Sequence, residues 1–167
     1  MKPASTDFGA LIRLVLDGGV ECILVGGVAA NVHGAARATY DIDLVYRRTP
    51  DNIDRIVRAL VPIRPYLRGA PPGLPFVFDA DTVRRGLNFT LITSLGDLDL
   101  LGDVTGGGGY DELLAVTETV RLFDRECRVV TLDALIHLKR ASGRPKDLEA
   151  IAELEALSEE RDGRDRP

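Results

Sequence analysis

The apolar and polar positions at the start of this chain predict a helix, a buried strand and a second helix. Residues 6–17 carry apolar side chains at helical spacing and are followed by two glycines that can end a helix. Residues 21–25 (ECILV) form a short apolar run that leads directly into Gly26 and Gly27. Such a run is typical of a buried strand that ends in a glycine turn, and a helix over about 28–33 should follow.

The next apolar segment predicts a strand that carries two acids on one face. Residues 41–46 (DIDLVY) place Asp41 and Asp43 two positions apart, opposite the apolar side chains of Ile42 and Leu44. Successive side chains of a strand point to opposite faces, so the two carboxylates should lie side by side. The pattern therefore predicts a local concentration of negative charge.

The rest of the chain predicts further strands and helices, and one long loop. Five prolines and two glycines fall within residues 62–75, a composition that predicts an exposed loop bordering a cleft. The other expected elements are a helix beginning at Pro50 after Thr49, strands at 87–92 and 97–101, a glycine loop and short helix at 102–114, a hairpin of 119–123 and 126–130, a helix from Thr131 to Ser142, and an acidic helix opened by Pro145.

These elements predict one α/β (α+β) domain with a small mixed β-sheet flanked by helices. We expect it to span residues 1–157, because 158–167 (SEERDGRDRP) contains nothing to bury and is expected to be a polar, disordered tail. The chain of 167 residues is 45% hydrophobic and 28% charged, which is the balance of a globular domain with one core.

The composition argues against a membrane or secreted protein. The longest apolar run, residues 22–30, is far shorter than the roughly 20 residues that a membrane-spanning helix needs. The N-terminus lacks the pattern of a secretory signal, so the cytoplasm is the expected compartment and no membrane partner is expected. Cys22 and Cys127 lack companions at metal-binding spacing and are expected to be buried thiols.

The net charge of −5 argues against binding nucleic acid through bulk electrostatic attraction, which needs a basic surface. Basic residues do cluster locally, at Lys139, Arg140, Arg144 and Lys146, and such a run is most often a solvated helix face. His33 and His137 have no companions at metal-binding spacing, and neither is expected to act as a base.

Asp41 and Asp43 are the strongest candidates for chemistry. Two carboxylates on one strand face repel each other unless a cation lies between them. Mg²⁺ suits such a pair, because it takes one or two protein carboxylates and completes its octahedral shell with water and phosphate oxygens. Gly26 and Gly27, about 15 residues earlier, would allow a phosphate to approach the backbone closely. The order of glycine turn and acidic strand thus predicts a site for magnesium and a triphosphate.

The segments LVGGVAANVHGAARATYDIDLVY and LKRASGRPKDL resemble the polymerase-beta-like nucleotidyltransferases, and in particular the small bacterial branch related to AbiEii-type toxins. The resemblance covers residues from about 21 to 155. It implies a nucleotidyltransferase fold, in which the glycine motif holds the triphosphate of an NTP such as ATP and Asp41 and Asp43 bind Mg²⁺, or Mn²⁺ in its place. Gly27 departs from the commonest motif, which has a serine there, although the AbiEii-like branch tends to have Gly-Gly.

The resemblance also implies a third acid on a neighbouring strand. Asp97 and Asp99 share a strand face, and only the adjacency of the two acidic strands can choose between them; Asp99 is favoured. Its role would be to bind metal and help accept a proton from the attacking hydroxyl. The nucleotide-binding candidates are Gly26, Gly27, Arg37, Thr39, Lys139, Arg144 and Lys146.

The implied reaction is the Mg²⁺-dependent transfer of a nucleoside monophosphate to a hydroxyl, with release of pyrophosphate. The acceptor could be an RNA end, a protein or a small molecule, and a cognate toxin or antitoxin is a candidate partner. Two other functions stay open. One is a catalytically silent nucleotidyltransferase-like module that acts by binding a partner, and the other is a metal-dependent phosphohydrolase.

Overall fold

A computed structural model describes residues 3–167 of the chain. Within that range the α-helices are α1 (Phe8–Asp17), α2 (Gly26–Val32), α3 (Pro50–Leu60), α4 (Ala80–Arg85), α5 (Tyr110–Leu113), α6 (Leu132–Ser142) and α7 (Pro145–Arg164). The strands are β1 (Cys22–Val25), β2 (Asp41–Tyr46), β3 (Tyr66–Leu67), β4 (Asn88–Thr93), β5 (Gly96–Leu101), β6 (Thr117–Leu122) and β7 (Arg125–Val130).

The strands of the described chain form one mixed sheet in the order β3-β4-β5-β2-β1-β7-β6. The pairs β2–β5 and β1–β7 are parallel, and the other neighbours are antiparallel. The acidic strand β2 therefore lies in the middle of the sheet, between the glycine-ended strand β1 and the second acidic strand β5. A central strand is apolar on the face that it buries, which explains the full burial of Ile42 and Leu44 in one hydrophobic core.

The helices pack around this sheet in two groups. Helix α3 contacts α1 and α4, whereas α6 contacts α2 and α7. Most helix starts follow local sequence signals, since the side chains of Asp7, Thr49, Asp79 and Thr131 each accept a hydrogen bond from the first turn of the helix that follows. The α/β class with a mixed sheet flanked by helices is thus confirmed.

Two local predictions differ from the structure near the site. Helix α2 begins at Gly26 rather than at about residue 28, so the two glycines form its first turn. The proline-rich segment 62–75 is not only a loop, since it contains a 3₁₀ turn and the two-residue strand β3, which pairs with β4 at the edge of the sheet. A two-residue strand carries too little pattern to be recognised from sequence.

Helix α7 extends beyond the boundary expected at residue 157. It is helical to Arg164, and its outer turns contact the rest of the fold. The hydroxyl of Ser158 donates to Asp133 over 3.1 Å, and the guanidinium of Arg161 donates to the carbonyl of His33 over 3.2 Å. These polar contacts hold a segment whose composition offers no apolar stripe.

The two cysteines are buried free thiols, as expected, but they are neighbours in space. Leu24 of β1 pairs with Val129 of β7 in parallel register, which sets Cys22 beside Cys127. Burial raises the pKa of both thiols, to about 11 for Cys127. His33 is also buried and shares a hydrogen bond with the carbonyl of Val130 through Nε2 (2.7 Å), a packing role. Within residues 3–167, none of the helices has the length and apolar character needed to cross a membrane.

Candidate metal and nucleotide site

The two acidic strands bring four carboxylates to one face of the sheet. Strands β2 and β5 are parallel neighbours, with Asp41 opposite Asp97 and Asp43 opposite Asp99. Ligand oxygens of Asp41, Asp43 and Asp99 lie within 4.8 Å of one another. Of the two acids on β5, Asp99 is therefore the one whose carboxylate comes close to both acids of β2.

The electrostatics of the cluster centre on Asp43. Burial raises the pKa of Asp43 to about 7, and the charges of Asp41 and Asp99 add to the effect, whereas Lys139 opposes it. Burial and the charge of Asp41 also raise the pKa of Asp99, although the guanidinium of Arg68 acts in the opposite direction. A carboxyl group that resists ionisation beside two others is one for which a bound cation would relieve a real electrostatic cost.

Gly26 lies directly against this cluster. Its φ is +70°, and a Cβ built on it would lie 2.1 Å from Oδ2 of Asp43. The next residue is similarly close to its surroundings, since a Cβ on Gly27 would lie 2.6 Å from Oγ1 of Thr39. Only glycine allows the start of α2 to pack this closely on the acidic strand and on the segment before it. The glycine pair thus shapes the site by leaving room for Asp43 and Thr39.

Arg68 is the site residue that sequence reasoning missed. It follows β3 at the edge of the sheet, yet its guanidinium reaches the acid cluster. Nη2 lies 2.7 Å from Oδ1 of Asp99, Nη1 lies 3.6 Å from Oδ2 of Asp41, and Nε lies 3.5 Å from Oδ2 of Asp97. The sequence shows only that Arg68 is a basic residue in a proline-rich segment expected to border a cleft. Arg64 lies in the same segment, so this signal does not identify Arg68 as the site residue.

The carboxylates open into a cleft of about 740 Å³, a size typical of small-molecule sites. All ten residues that the sequence and the resemblance singled out line it, together with Arg68 and Asp147. The ten are Gly26, Gly27, Arg37, Thr39, Asp41, Asp43, Asp99, Lys139, Arg144 and Lys146. Tertiary structure thus gathers residues from both ends of the chain around one cavity.

Two of the candidate phosphate-binding cations are held by a buried acid. Asp147, at 0% exposure, accepts hydrogen bonds from Nε of Arg144 at 2.7 Å and from Nζ of Lys139 at 3.4 Å. Burial acts to raise the pKa of Asp147, but the hydrogen bonds from Arg144 and Ser142 and the charge of Lys139 outweigh it, so the pKa is lowered. Lys146, in contrast, is exposed.

Arg37 and Thr39 border the cleft with different contacts. Arg37 pairs with two acids of α7, lying 3.7 Å from Glu149 and 3.3 Å from Glu153. Thr39 donates from its hydroxyl to the carbonyl of Asp41 over 3.2 Å, which fixes the turn into β2. Arg37 therefore links the segment before β2 to α7 at the mouth of the cleft.

The donor set fits a small divalent cation. Oxygen ligands at about 2.1 Å from Mg²⁺ are about 3.0 Å apart when adjacent and about 4.2 Å apart when opposite. The carboxylate oxygens of Asp41, Asp43 and Asp99 lie within 4.8 Å of one another, close to the wider of these two spacings.

Comparisons with known proteins do not assign the chain to a family. No protein-family model matches the chain, and no curated protein matches it.

Proposed function

We propose that this protein is a Mg²⁺-dependent nucleotidyltransferase that moves a nucleoside monophosphate from an NTP to a hydroxyl acceptor. The observation that carries the proposal is the convergence of Asp41, Asp43 and Asp99 beside Gly26, in a cleft that Lys139, Arg144 and Lys146 also line. A metal-bound triphosphate requires carboxylates for the metal and cations for the phosphates around one cleft. The resemblance of the glycine and acidic segments supports the same reaction.

In this proposal the acidic and the basic residues of the cleft have different roles. Asp41, Asp43 and Asp99 would hold Mg²⁺, whose charge would offset that of the phosphates and favour loss of the proton from the acceptor's hydroxyl. Asp99 would also accept the acceptor's proton as its oxygen forms a bond to the α-phosphorus and pyrophosphate leaves. Lys139, Arg144 and Lys146 stabilise the charge that collects on the departing pyrophosphate.

Transfer of label from an NTP tests the proposal directly. The purified protein would be incubated with Mg²⁺, each α-labelled NTP and a cell extract that is separated into RNA, protein and small molecules. We expect label in one of these fractions with the wild type and none with Asp43→Asn. Release of phosphate without label in any acceptor would instead indicate a phosphohydrolase.

One observation favours a second candidate, a catalytically silent module that acts by binding a partner. Arg68 already supplies a positive charge to Asp41, Asp97 and Asp99, so the cluster has a cation within the chain itself. A silent module should show no rise in melting temperature with Mn²⁺ and NTP. A functional site at about 100 times its dissociation constant should gain roughly 2.7 kcal/mol of stability.

The biological setting is a further part of the proposal. A cytoplasmic enzyme with an RNA end, a protein or a small molecule as acceptor is consistent with the acidic net charge, which disfavours extended contact with nucleic acid. A cognate toxin or antitoxin is the proposed partner, on the basis of the sequence resemblance alone. Co-purification from the native host of a protein that suppresses the labelling would support it.

A further inference from the structure

The guanidinium of Arg68 contacts several carboxylates of the acid cluster at once, as a bound cation would. Its guanidinium contacts three carboxylates on two strands, and Nη2 also donates to the carbonyl of Leu91 over 2.8 Å. The side chain is 24% exposed, and it lines the same cleft as the carboxylates. It reaches them from the sheet edge, across the whole width of β4.

One guanidinium cannot compensate four carboxylates. Asp41, Asp97 and Asp99 are each within 3.6 Å of Arg68, and Asp43 is the member of the cluster that it does not pair with. The cluster with Arg68 in place therefore still carries excess negative charge, which a divalent cation would compensate better than a single positive charge.

A metal ion among the carboxylates would compete with the guanidinium for Asp41 and Asp99. An ion bound through Oδ1 of Asp99 would take the oxygen that now accepts from Nη2 at 2.7 Å, and the two positive charges would repel each other. The backbone of Arg68 is held separately, since its N–H donates to the carbonyl of Thr90 over 2.9 Å. The side chain can thus leave by rotation about its own bonds while β3 stays paired with β4.

We propose that Arg68 is an internal counterion that occupies the metal position of the acid triad and must be displaced when a divalent cation binds. This inference rests on the proposed function, because it assumes that Asp41, Asp43 and Asp99 are metal ligands. In the metal-free protein Arg68 holds the two acidic strands together and keeps adventitious cations out.

The affinity of the metal-free protein for Mn²⁺ alone, measured by calorimetry and by the electron paramagnetic resonance signal of free Mn²⁺, tests the inference. A guanidinium that is in place nine-tenths of the time would leave about a tenth of the molecules competent and weaken binding about tenfold. We therefore expect Arg68→Gln to bind Mn²⁺ about tenfold more tightly than the wild type, and to melt at a lower temperature without metal.

The matched control is Arg64→Gln, which removes the same charge from an exposed position four residues earlier on the same segment. It should leave Mn²⁺ affinity within about twofold of the wild type, because physiological salt screens most of the electrostatic effect of a distant charge. If Arg68→Gln does not fold, Arg68→Lys keeps the charge but cannot span three carboxylates, and it should also bind Mn²⁺ more tightly.

The outcomes separate this inference from the proposed function. Equal Mn²⁺ affinity for the wild type and Arg68→Gln, abolished in both by Asp43→Asn, would overturn the counterion role and leave the metal site standing. Binding by Arg68→Gln but not by the wild type, even with NTP, would support the counterion role and overturn the proposed catalysis. Binding by neither protein would overturn both.

Discussion

Asp43 of β2 lies directly opposite Asp99 of β5 on parallel neighbouring strands, and their carboxylate oxygens are within 4.8 Å of each other. In most folds a sheet avoids like charges in opposed positions, because each pair is destabilising. Here Asp41 and Asp97 form a second opposed pair next to the first. Such an arrangement stores electrostatic repulsion at one end of the cleft, and several consequences can be measured.

The pH dependence of stability should reveal this repulsion at Asp43. The unfolded chain ionises Asp43 near its usual pKa of 3.8, whereas the folded protein does so only at about 7. Without metal, the contribution of Asp43 is therefore fully favourable below about pH 4, decreases as the pH rises, and is lost above about pH 7. Denaturant titrations of the metal-free protein from pH 4 to 8 should show this decrease.

Asp43→Asn should remove that decrease and stabilise the metal-free protein at pH 8 by about 1–3 kcal/mol. This is the scale expected for so large a rise in pKa, reduced by the remaining exposure of the site. The variant and the wild type should differ least at pH 4. A stability difference that does not vary with pH would contradict the assignment of the repulsion to Asp43.

The two acids of β5 should differ in their effect on metal binding. Asp99 joins the triad and lines the cleft, whereas Asp97 is outside the cleft lining and lies 3.5 Å from Nε of Arg68. Asp99→Asn should weaken Mn²⁺ binding at least about tenfold, the loss of one charged ligand. Asp97→Asn, the matched control on the same strand face, should change it by less than about threefold. The reverse ranking in calorimetric titrations would identify Asp97 as the third ligand.

Gly26 should tolerate no side chain. Gly26→Ala would place an alanine at a φ of +70°, which is unfavourable for any residue with a Cβ, and that Cβ would overlap Oδ2 of Asp43. We therefore expect the free energy of unfolding to fall by about 2 kcal/mol or more and Mn²⁺ binding to weaken. Gly73→Ala is the control, since Gly73 has φ +88° with nothing within 4 Å of its Cβ. It should lose only about 1 kcal/mol and bind Mn²⁺ normally. Equal losses of stability in chemical denaturation would mean that the contact with Asp43 is unimportant.

Asp147 should position the basic wall of the cleft. Asp147→Asn removes the negative charge between Lys139 and Arg144, so we expect a loss of about 1–3 kcal/mol, the scale of charge-assisted hydrogen bonds. Because its pKa is lowered in the folded protein, this stabilisation is present above about pH 4 and is lost as the pH falls further. Thermal unfolding at pH 7 and at pH 3 would test both statements; an equal loss at the two pH values would contradict them.

Lys146 should contact the nucleotide. It is exposed within the cleft, so Lys146→Ala should weaken the binding of NTP with Mg²⁺ by roughly 1–3 kcal/mol with little effect on stability. Arg140→Ala is the matched control, since Arg140 is exposed on α6 and pairs with Glu155 outside the cleft. If calorimetric titrations show that both variants bind the nucleotide like the wild type, Lys146 does not contact the nucleotide and is only a solvated residue at the start of α7.

Much of the local structure could be predicted from the sequence, because it depends on neighbouring residues. The alternation of polar and apolar residues places Asp41 and Asp43 on one face of β2. Thr131 caps the start of α6, and the helical pattern that follows predicts its extent to Ser142. The hairpin of β6 and β7 follows from two β-rich runs around a short turn. The α/β class and most of the candidate site residues follow from these local patterns and the sequence resemblance.

Only the tertiary structure decided which residues meet across the sheet. The parallel register of β2 and β5 brings Asp99 to Asp43, and no residue within β5 distinguishes Asp99 from Asp97, because the two share a face. The outer turns of α7 persist through contacts with α2 and α6 rather than through their own composition. Arg68 directly follows the two-residue edge strand β3, and it reaches carboxylates on β5 and β2, which lie two and three strands away. Strand order and register depend on packing between segments far apart in the chain, so no local pattern records them.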